Sequence, residues 1–386
     1  MEQIINATIV LPDGILSGGV CAFSDGVIRY VGTQPREDAR TVCDAKGAWL
    51  LPGFIDIHCH GGNEYDFMDA SPEQMEEISR FHLSHGTTTL VATTMTDRWP
   101  SIYGALERFG QLARSGRQLT LHGVHLEGPW LNPEQCGAQD TSRMDLPNTE
   151  KLRELLAQYP FIERISAAPE LPGGLELGRA GQQAGVVMSV AHTDADFDQI
   201  LQAADNGYTL MTHLFSGMKM TVRKNSFRIA GAVEGALYDD RLFVELIADG
   251  RHLPPSLLKL VHKCKGPQQI CLITDAMRAA GMPEGSRTKL GSMDEGVDVM
   301  VEDSVAKLMD RSAFAGSVAT TDRLLRVMHR EAGIDLVEVS RMLSGTPARV
   351  MGYADRGAIE EGKRADLVLL DDQLQVKNVF LAGALQ

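Results

Sequence analysis

Two histidines one residue apart, His58 and His60, stand at the end of a short apolar run that begins at Phe54. On an extended segment alternate side chains share a face, so both imidazoles can meet one cation. Four other runs end in a similar way, at His125-Leu126-Glu127-Gly128-Pro129, Ala191-His192-Thr193, Thr212-His213-Leu214 and Thr274-Asp275-Ala276. An isolated pair of histidines is equally well read as two polar residues at a strand end. One glutamate, several histidines and one aspartate at neighbouring strand ends form a stronger pattern. Gathered at a single mouth, they match the nitrogen and oxygen donors preferred by zinc and its borderline relatives.

Elements able to gather them are visible in the rhythm of the chain. Eight apolar runs alternate with helix-like stretches: 54–58, 87–94, 120–126, 162–168, 186–192, 208–214, 242–248 and 270–274. That alternation indicates βα units and a parallel sheet, and eight is the number that closes a barrel. In such a barrel the chemistry lies at the C-terminal ends of the strands. Helix starts are marked by Ser71-Pro72 with Gln74, ahead of a stripe of Met75, Ile78, Phe81 and Leu83, and by Asn148 ahead of Leu152, Leu155 and Leu156. Gly86, Gly185 and Gly207 fall where helices should end. Both termini instead alternate polar and apolar positions between turn signals, as at Ile4–Val10, Val20–Phe23, Val27–Val31, Ala365–Leu370 and Val376–Leu381. The two ends of the chain are expected to share one sheet.

The stretches Pro52-Gly53-Phe54-Ile55-Asp56, His125 to Pro133, Thr212-His213-Leu214-Phe215, Ile247 to His252, Ile273 to Met277, Ala315-Gly316-Ser317 and Gly362 to Val368 together resemble the amidohydrolase superfamily. Within it they resemble N-acetylglucosamine-6-phosphate deacetylases, over nearly the whole chain. The resemblance implies a (β/α)8 TIM barrel at 52–353, a small β-sandwich built from 1–51 and 354–386, and a homodimer. It implies that Glu127, His192 and His213 bind a metal, with His58 and His60 as a second, more weakly or variably occupied site, so that one or two ions are expected. It makes Asp275 the catalytic acid/base. A cation would polarise an amide carbonyl and lower the pKa of water toward about 7, while Asp275 takes that water's proton and delivers it to the leaving amine. Zinc is the default ion, with iron, manganese or cobalt as alternatives. By the same likeness Ala138, Gln139, Ser216, Gly217, Asp249, His252, Phe314, Ala315 and Gly316 contact the substrate.

The chain departs from the family at the substrate end. Gln139 stands where a histidine usually polarises the acyl carbonyl; an amide can donate a hydrogen bond but carries no charge. In place of an Arg-Glu-Pro-Gly stretch the chain has Met220 to Arg228, so a substrate phosphate would fall to Arg223, Lys224 or Arg228, or is not required at all. The expected reaction is deacetylation of N-acetylglucosamine 6-phosphate. N-acetylgalactosamine 6-phosphate and other N-acyl compounds are alternatives, as is a scaffold that has lost its chemistry. That last reading predicts a missing ligand, and none is missing.

Composition sets the outer limits. Hydrophobic residues at 44% and charged residues at 23% describe a chain that folds throughout. A net charge of -14 opposes nucleic acid and anionic membranes as partners. The first residues carry no basic-then-apolar leader, and a cytoplasmic protein is expected. Six cysteines without a CxxC pair are expected to be free, buried thiols. His82, His85, His262 and His329 fall in helical stretches and read as surface or partly buried residues, whereas His125 is either a core histidine or a partner that orients Glu127.

Overall fold

The computed structural model describes residues 1–117 and 119–386. Eight parallel strands form one sheet in sequence order: β1 Phe54–Cys59, β2 Thr87–Thr94, β3 Leu121–Glu127, β4 Ile162–Ala167, β5 Val187–Val190, β6 Tyr208–Met211, β7 Phe243–Ile247 and β8 Ile270–Ile273. Each matches one of the eight runs read from the sequence. Helices fall between the strands and cover the outer face of the sheet, while the inner face closes on itself, so the strands are buried almost throughout. The seam between β8 and β1 is closed at its upper end. There the Asp275 amide donates to the His58 carbonyl at 2.9 Å and the His60 amide to Ala276 at 2.8 Å. Just below, the buried Asp56 carboxylate accepts from the Thr274 hydroxyl and amide. At the opposite end Ile55, Ile57, Val91, Leu210, Ile247 and Ile273 pack against Ala348, Val350, Met351 and Tyr353, so the last helix and its exit form the floor.

The first barrel helix, Pro72–Ser84, starts as its sequence signals require, with reciprocal Ser71 and Gln74 capping bonds. Its buried stripe is Met75, Ile78, His82 and Leu83, while Phe81 is only partly covered. The expectation of a surface or partly buried His82 is therefore corrected. Its ring is fully buried because its Nε2 finds the Gly61 carbonyl at 3.0 Å, a partner that helical periodicity cannot reveal. Burial also holds its pKa down to about 4. Gly86, Gly185 and Gly207 have φ of 95°, 79° and 93°. The cysteines are all free, but only Cys21, Cys59 and Cys271 are buried; Cys264 is exposed and the other two intermediate, which corrects the expectation of six buried thiols.

Both termini enter one eight-stranded ladder, in the order Ala384–Leu385, Val376–Leu381, Leu367–Leu370, Trp49–Pro52, Glu2–Leu11, Gly14–Ser24 and Val27–Gly32, with Arg40–Asp44 paired beside Glu2–Leu11. Alternate residues from distant strands of this ladder meet in a core of their own, where Phe23 and Phe380 lie 6.1 Å apart. Small inserted sheets interrupt the barrel, the first of them pairing Gly61–Gly62 with Tyr65–Asp66 after β1. A short hairpin, Val222–Lys224 with Phe227–Ile229, follows β6, and a three-stranded sheet, Arg287–Leu290, Val297–Glu302 and Val305–Leu308, follows β8. Among the described residues no helix is long and apolar enough to cross a membrane.

Candidate metal centre and active site

Strands β1, β3, β5, β6 and β8 bring His58 and His60, Glu127, His192, His213 and Asp275 to one mouth. Glu127 lies at the centre. His213 Nε2 is 3.0 Å from its Oε1, His58 Nε2 3.6 Å and His192 Nε2 3.7 Å, while His60 Nε2 is 3.3 Å from Oε2. His58 Nε2 and His60 Nε2 are themselves 3.3 Å apart. Asp275 Oδ1 lies 3.4 and 3.2 Å from these two nitrogens.

His192, His213 and Asp275 each lie two residues past the end of a strand, and each has positive φ, at 42°, 30° and 49°. Left-handed backbone is costly for residues with a Cβ, on the order of 1–2 kcal/mol each. It turns these side chains inward over the mouth instead of letting them alternate outward.

The remaining ring nitrogens decide how the imidazoles are presented. His192 Nδ1 is 2.8 Å from the Gln135 carbonyl, which directs its Nε2 at Glu127. That approach requires Gly217, at φ 56°, because a Cβ there would stand 2.6 Å from His192 Nδ1. His58 Nδ1 is 3.2 Å from Glu245 Oε2. Burial opposes the charge on Glu127, yet the four imidazoles around it hold its carboxyl well below the ordinary range. Burial likewise opposes charge on Asp275, and His58, His60 and His213 hold it low. His60 responds in the opposite sense. Burial disfavours its charged form, but Asp275 and Glu127 push its pKa up to about 10.

This donor set fits a divalent cation. Two triads, His58-His60-Glu127 and Glu127-His192-His213, each hold one donor atom per residue within 4.8 Å of the others. Metal–ligand bonds of 2.0–2.2 Å imply tetrahedral ligand edges of about 3.3–3.6 Å, close to the separations around Glu127. Among the described residues no lysine or arginine contacts the Glu127 carboxylate; its neighbours are the four imidazoles and the Gln139 amide.

Beside the cluster opens a cavity of about 210 Å³. Of the residues expected at the substrate, Ala138, Gln139, Ser216, Gly217, His252, Phe314 and Gly316 line it. Asp249 stands behind His252, holding its Nδ1 at 2.9 Å, and Ala315 is fully buried. Gln139 is tied at both ends: its Nε2 donates to Glu127 Oε2 and its Oε1 accepts from the Thr96 amide, each at 3.1 Å. Arg223 and Arg228 are not in the cavity wall. They face each other across the exposed hairpin. His125 is a core histidine, 2.7 Å from Ser166 Oγ and edge-on to His58.

Met95, Leu290 and Ala313 also line the cavity and were not expected. Met95 directly follows β2, so the rule that strand ends carry function would have found it. Leu290 comes from the sheet inserted after β8 and Ala313 from the turn that follows that sheet, neither of which carries barrel periodicity.

A parallel eight-stranded barrel with an imidazole–carboxylate cluster at the C-terminal ends of its strands defines a metal-dependent hydrolase. The chain belongs to the amidohydrolase family, whose model matches residues 49–385. It is 32% identical over 385 residues to an N-acetylglucosamine-6-phosphate deacetylase of Lysinibacillus sphaericus, covering 99% of this chain and 97% of that one. It is also 32% identical to an N-acetylgalactosamine-6-phosphate deacetylase of Escherichia coli O157:H7, covering 100% and 99%. Its fold matches an N-acetyl-D-glucosamine-6-phosphate deacetylase mutant of Mycobacterium smegmatis, solved in complex with N-acetyl-D-glucosamine-6-phosphate. The TM-score is 0.91 at 31% identity, covering 100% of this chain and 98% of the other.

Proposed function

We propose that this enzyme hydrolyses the N-acetyl group of N-acetylglucosamine 6-phosphate, yielding glucosamine 6-phosphate and acetate. The observation that carries the reading is the meeting, in one cavity, of two donor triads sharing Glu127 with a carboxylate, Asp275, that reaches the first of them. Zinc is the proposed ion; iron(II), manganese and cobalt suit the same donors. Glu127, His192 and His213 would hold one ion, and His58 and His60 with Glu127 a second. Bound there, a divalent ion supplies Lewis acidity toward the acyl carbonyl and a more acidic water.

The chain's own residues supply the proton traffic and the grip. Asp275, kept ionised by its imidazole neighbours, accepts the proton of the attacking water and returns it to the amine nitrogen. An amine leaves as a neutral molecule only once it has that proton. His252, fixed through Nδ1 by Asp249, has Nε2 left for a substrate oxygen, and its ring stands 4.8 Å from Phe314. Ala138, Gln139, Ser216, Gly217, Ala315 and Gly316 complete the proposed sugar-binding wall.

The same reading makes the protein cytoplasmic and homodimeric, with 1–51 and 354–386 as a second domain that carries none of the site residues. Val222, Phe227 and Ile229 stand exposed on the hairpin, Phe227 at 74%, and a second copy would cover them. Such packing would also bring Arg223, Lys224 and Arg228 within reach of a phosphate.

The epimer N-acetylgalactosamine 6-phosphate is a second reading, favoured by the relative of that name at the same 32% identity. Amine release from the two sugar phosphates and their unphosphorylated forms, by metal-loaded protein, tests both. Release from the glucosamine derivative, abolished by a chelator, is expected. Hydrolysis of the galactosamine compound alone would reassign the epimer, and equal rates without phosphate would remove the phosphate from the reading.

A further inference from the structure

Beneath the metal centre the barrel interior contains a fully buried ion pair. Arg164 of β4 and Glu245 of β7 are both 0% exposed and hydrogen-bonded to each other. The Arg164 guanidinium also donates to the Ile57 carbonyl at 3.0 Å, Ser189 Oγ at 3.1 Å and Thr212 Oγ1 at 3.0 Å, so it ties β4 to β1, to β5 and to the end of β6. Stability is a poor reason for such a pair. Desolvating two charges costs about as much as their attraction returns, and apolar residues of equal volume often serve as well or better.

The outward side of the pair gives it a purpose. Glu245 Oε2 lies 3.2 Å from His58 Nδ1 and accepts the His213 backbone amide at 3.2 Å. With Nδ1–H given to Glu245, His58 can present only the lone pair of Nε2 to the mouth. A carboxylate on the far ring nitrogen also makes that lone pair more basic than a neutral carbonyl would. His192, by contrast, is held by the Gln135 carbonyl. His213 is held through its main chain, at a residue with φ of 30°. One carboxylate thus touches a member of each triad, by a side chain in one and by the backbone in the other.

We propose that Arg164 and Glu245 are positioning residues of the metal centre, acting chiefly on the His58-His60-Glu127 triad. Glu245 sets the tautomer and direction of His58, and Arg164 fixes the Glu245 carboxylate and balances its charge. The proposal rests on the reading of the mouth as a metal site.

The test is Co2+ titration of metal-stripped protein, followed by visible absorption and by thermal melting. The wild type is compared with Glu245→Gln and with the double variant Arg164→Met/Glu245→Leu, which leaves no unpaired charge. The double variant should melt at or above the wild-type temperature yet lose about 10–100-fold in Co2+ affinity, with an altered ligand-field spectrum. Glu245→Gln keeps an acceptor for His58 and should lose less. A folded double variant with wild-type affinity and spectrum would overturn the proposal while leaving the metal reading intact. If the double variant fails to fold, the decision falls to Glu245→Gln, where an unchanged affinity and spectrum would overturn it. A wild type that binds no Co2+ would overturn both.

Discussion

At the floor of the barrel, His122 Nδ1 meets Glu163 Oε1 at 2.9 Å, Tyr353 donates its hydroxyl to the other oxygen, and Arg356 donates to Thr89 Oγ1 at 2.9 Å. At the mouth, four imidazoles crowd a single carboxylate, and the Nδ1 atoms of His60 and His213 have no partner. Both clusters combine histidine with glutamate, and β3 contributes to each, His122 near its start and Glu127 at its end. Only the floor is complete as it stands. The difference shows that a polar cluster is recognised as a site by convergence: at the mouth several imidazole Nε2 atoms and one carboxylate aim at the same space, the arrangement a cation fills, whereas at the floor each group faces its own partner.

The comparison can be broken or sharpened in order of effect. Asp275→Asn should reduce turnover by about 1000-fold with metal content unchanged, measured by acetate release and elemental analysis. Retention of a tenth of wild-type activity would remove Asp275 from proton transfer.

Asp322, another completed cluster, lies 3.2 Å from His85 Nδ1 and accepts from Arg326 at 2.7 Å. Burial works against its charge, but His85, Thr320 and Arg326 hold its carboxyl far below the usual range. A depressed folded pKa adds stability that is present above the unfolded value near 4 and lost as pH falls through the folded one. Asp322→Asn should therefore cost about 2 kcal/mol at pH 7, and its melting temperature should approach that of the wild type in acid below about pH 4. A gap that stays constant with pH would show that the ion pair is not its source.

Gln139→Ala should weaken metal binding by about tenfold, because Glu127 Oε2 loses its donor. Calorimetric titration would measure this, and an unchanged affinity would mean that the Gln139 bond is incidental. The smallest effect is expected at the floor. Tyr353→Phe should cost about 1 kcal/mol of stability and leave metal affinity and turnover untouched. Any change in turnover would mean that the two ends are coupled.

Much of this was legible in the sequence because barrel strands are buried on both faces and read as uninterrupted apolar runs. A functional residue at the end of such a run is conspicuous, which is why Glu127, His192, His213 and Asp275 stood out. The hairpin at 222–229 was not legible. Its apolar residues are exposed, so they trace no buried face. Arg164 and Glu245 were passed over for the opposite reason: each lies inside an apolar run, and only closure of the barrel brings the two together across its interior. Leu290 and Ala313 reach the cavity through an insertion whose path follows from tertiary packing.

The β1–β8 seam has a consequence for biosynthesis. His58 and Asp275 become neighbours only when the last barrel strand docks against the first, and Asp56 and Thr274, which close that seam, are 218 residues apart. A chain emerging from the ribosome has four imidazoles and Glu127 well before it has Asp275. A nascent barrel could thus capture its ion while still lacking the proton carrier, so hydrolytic competence would arrive in one step, with closure of the ring.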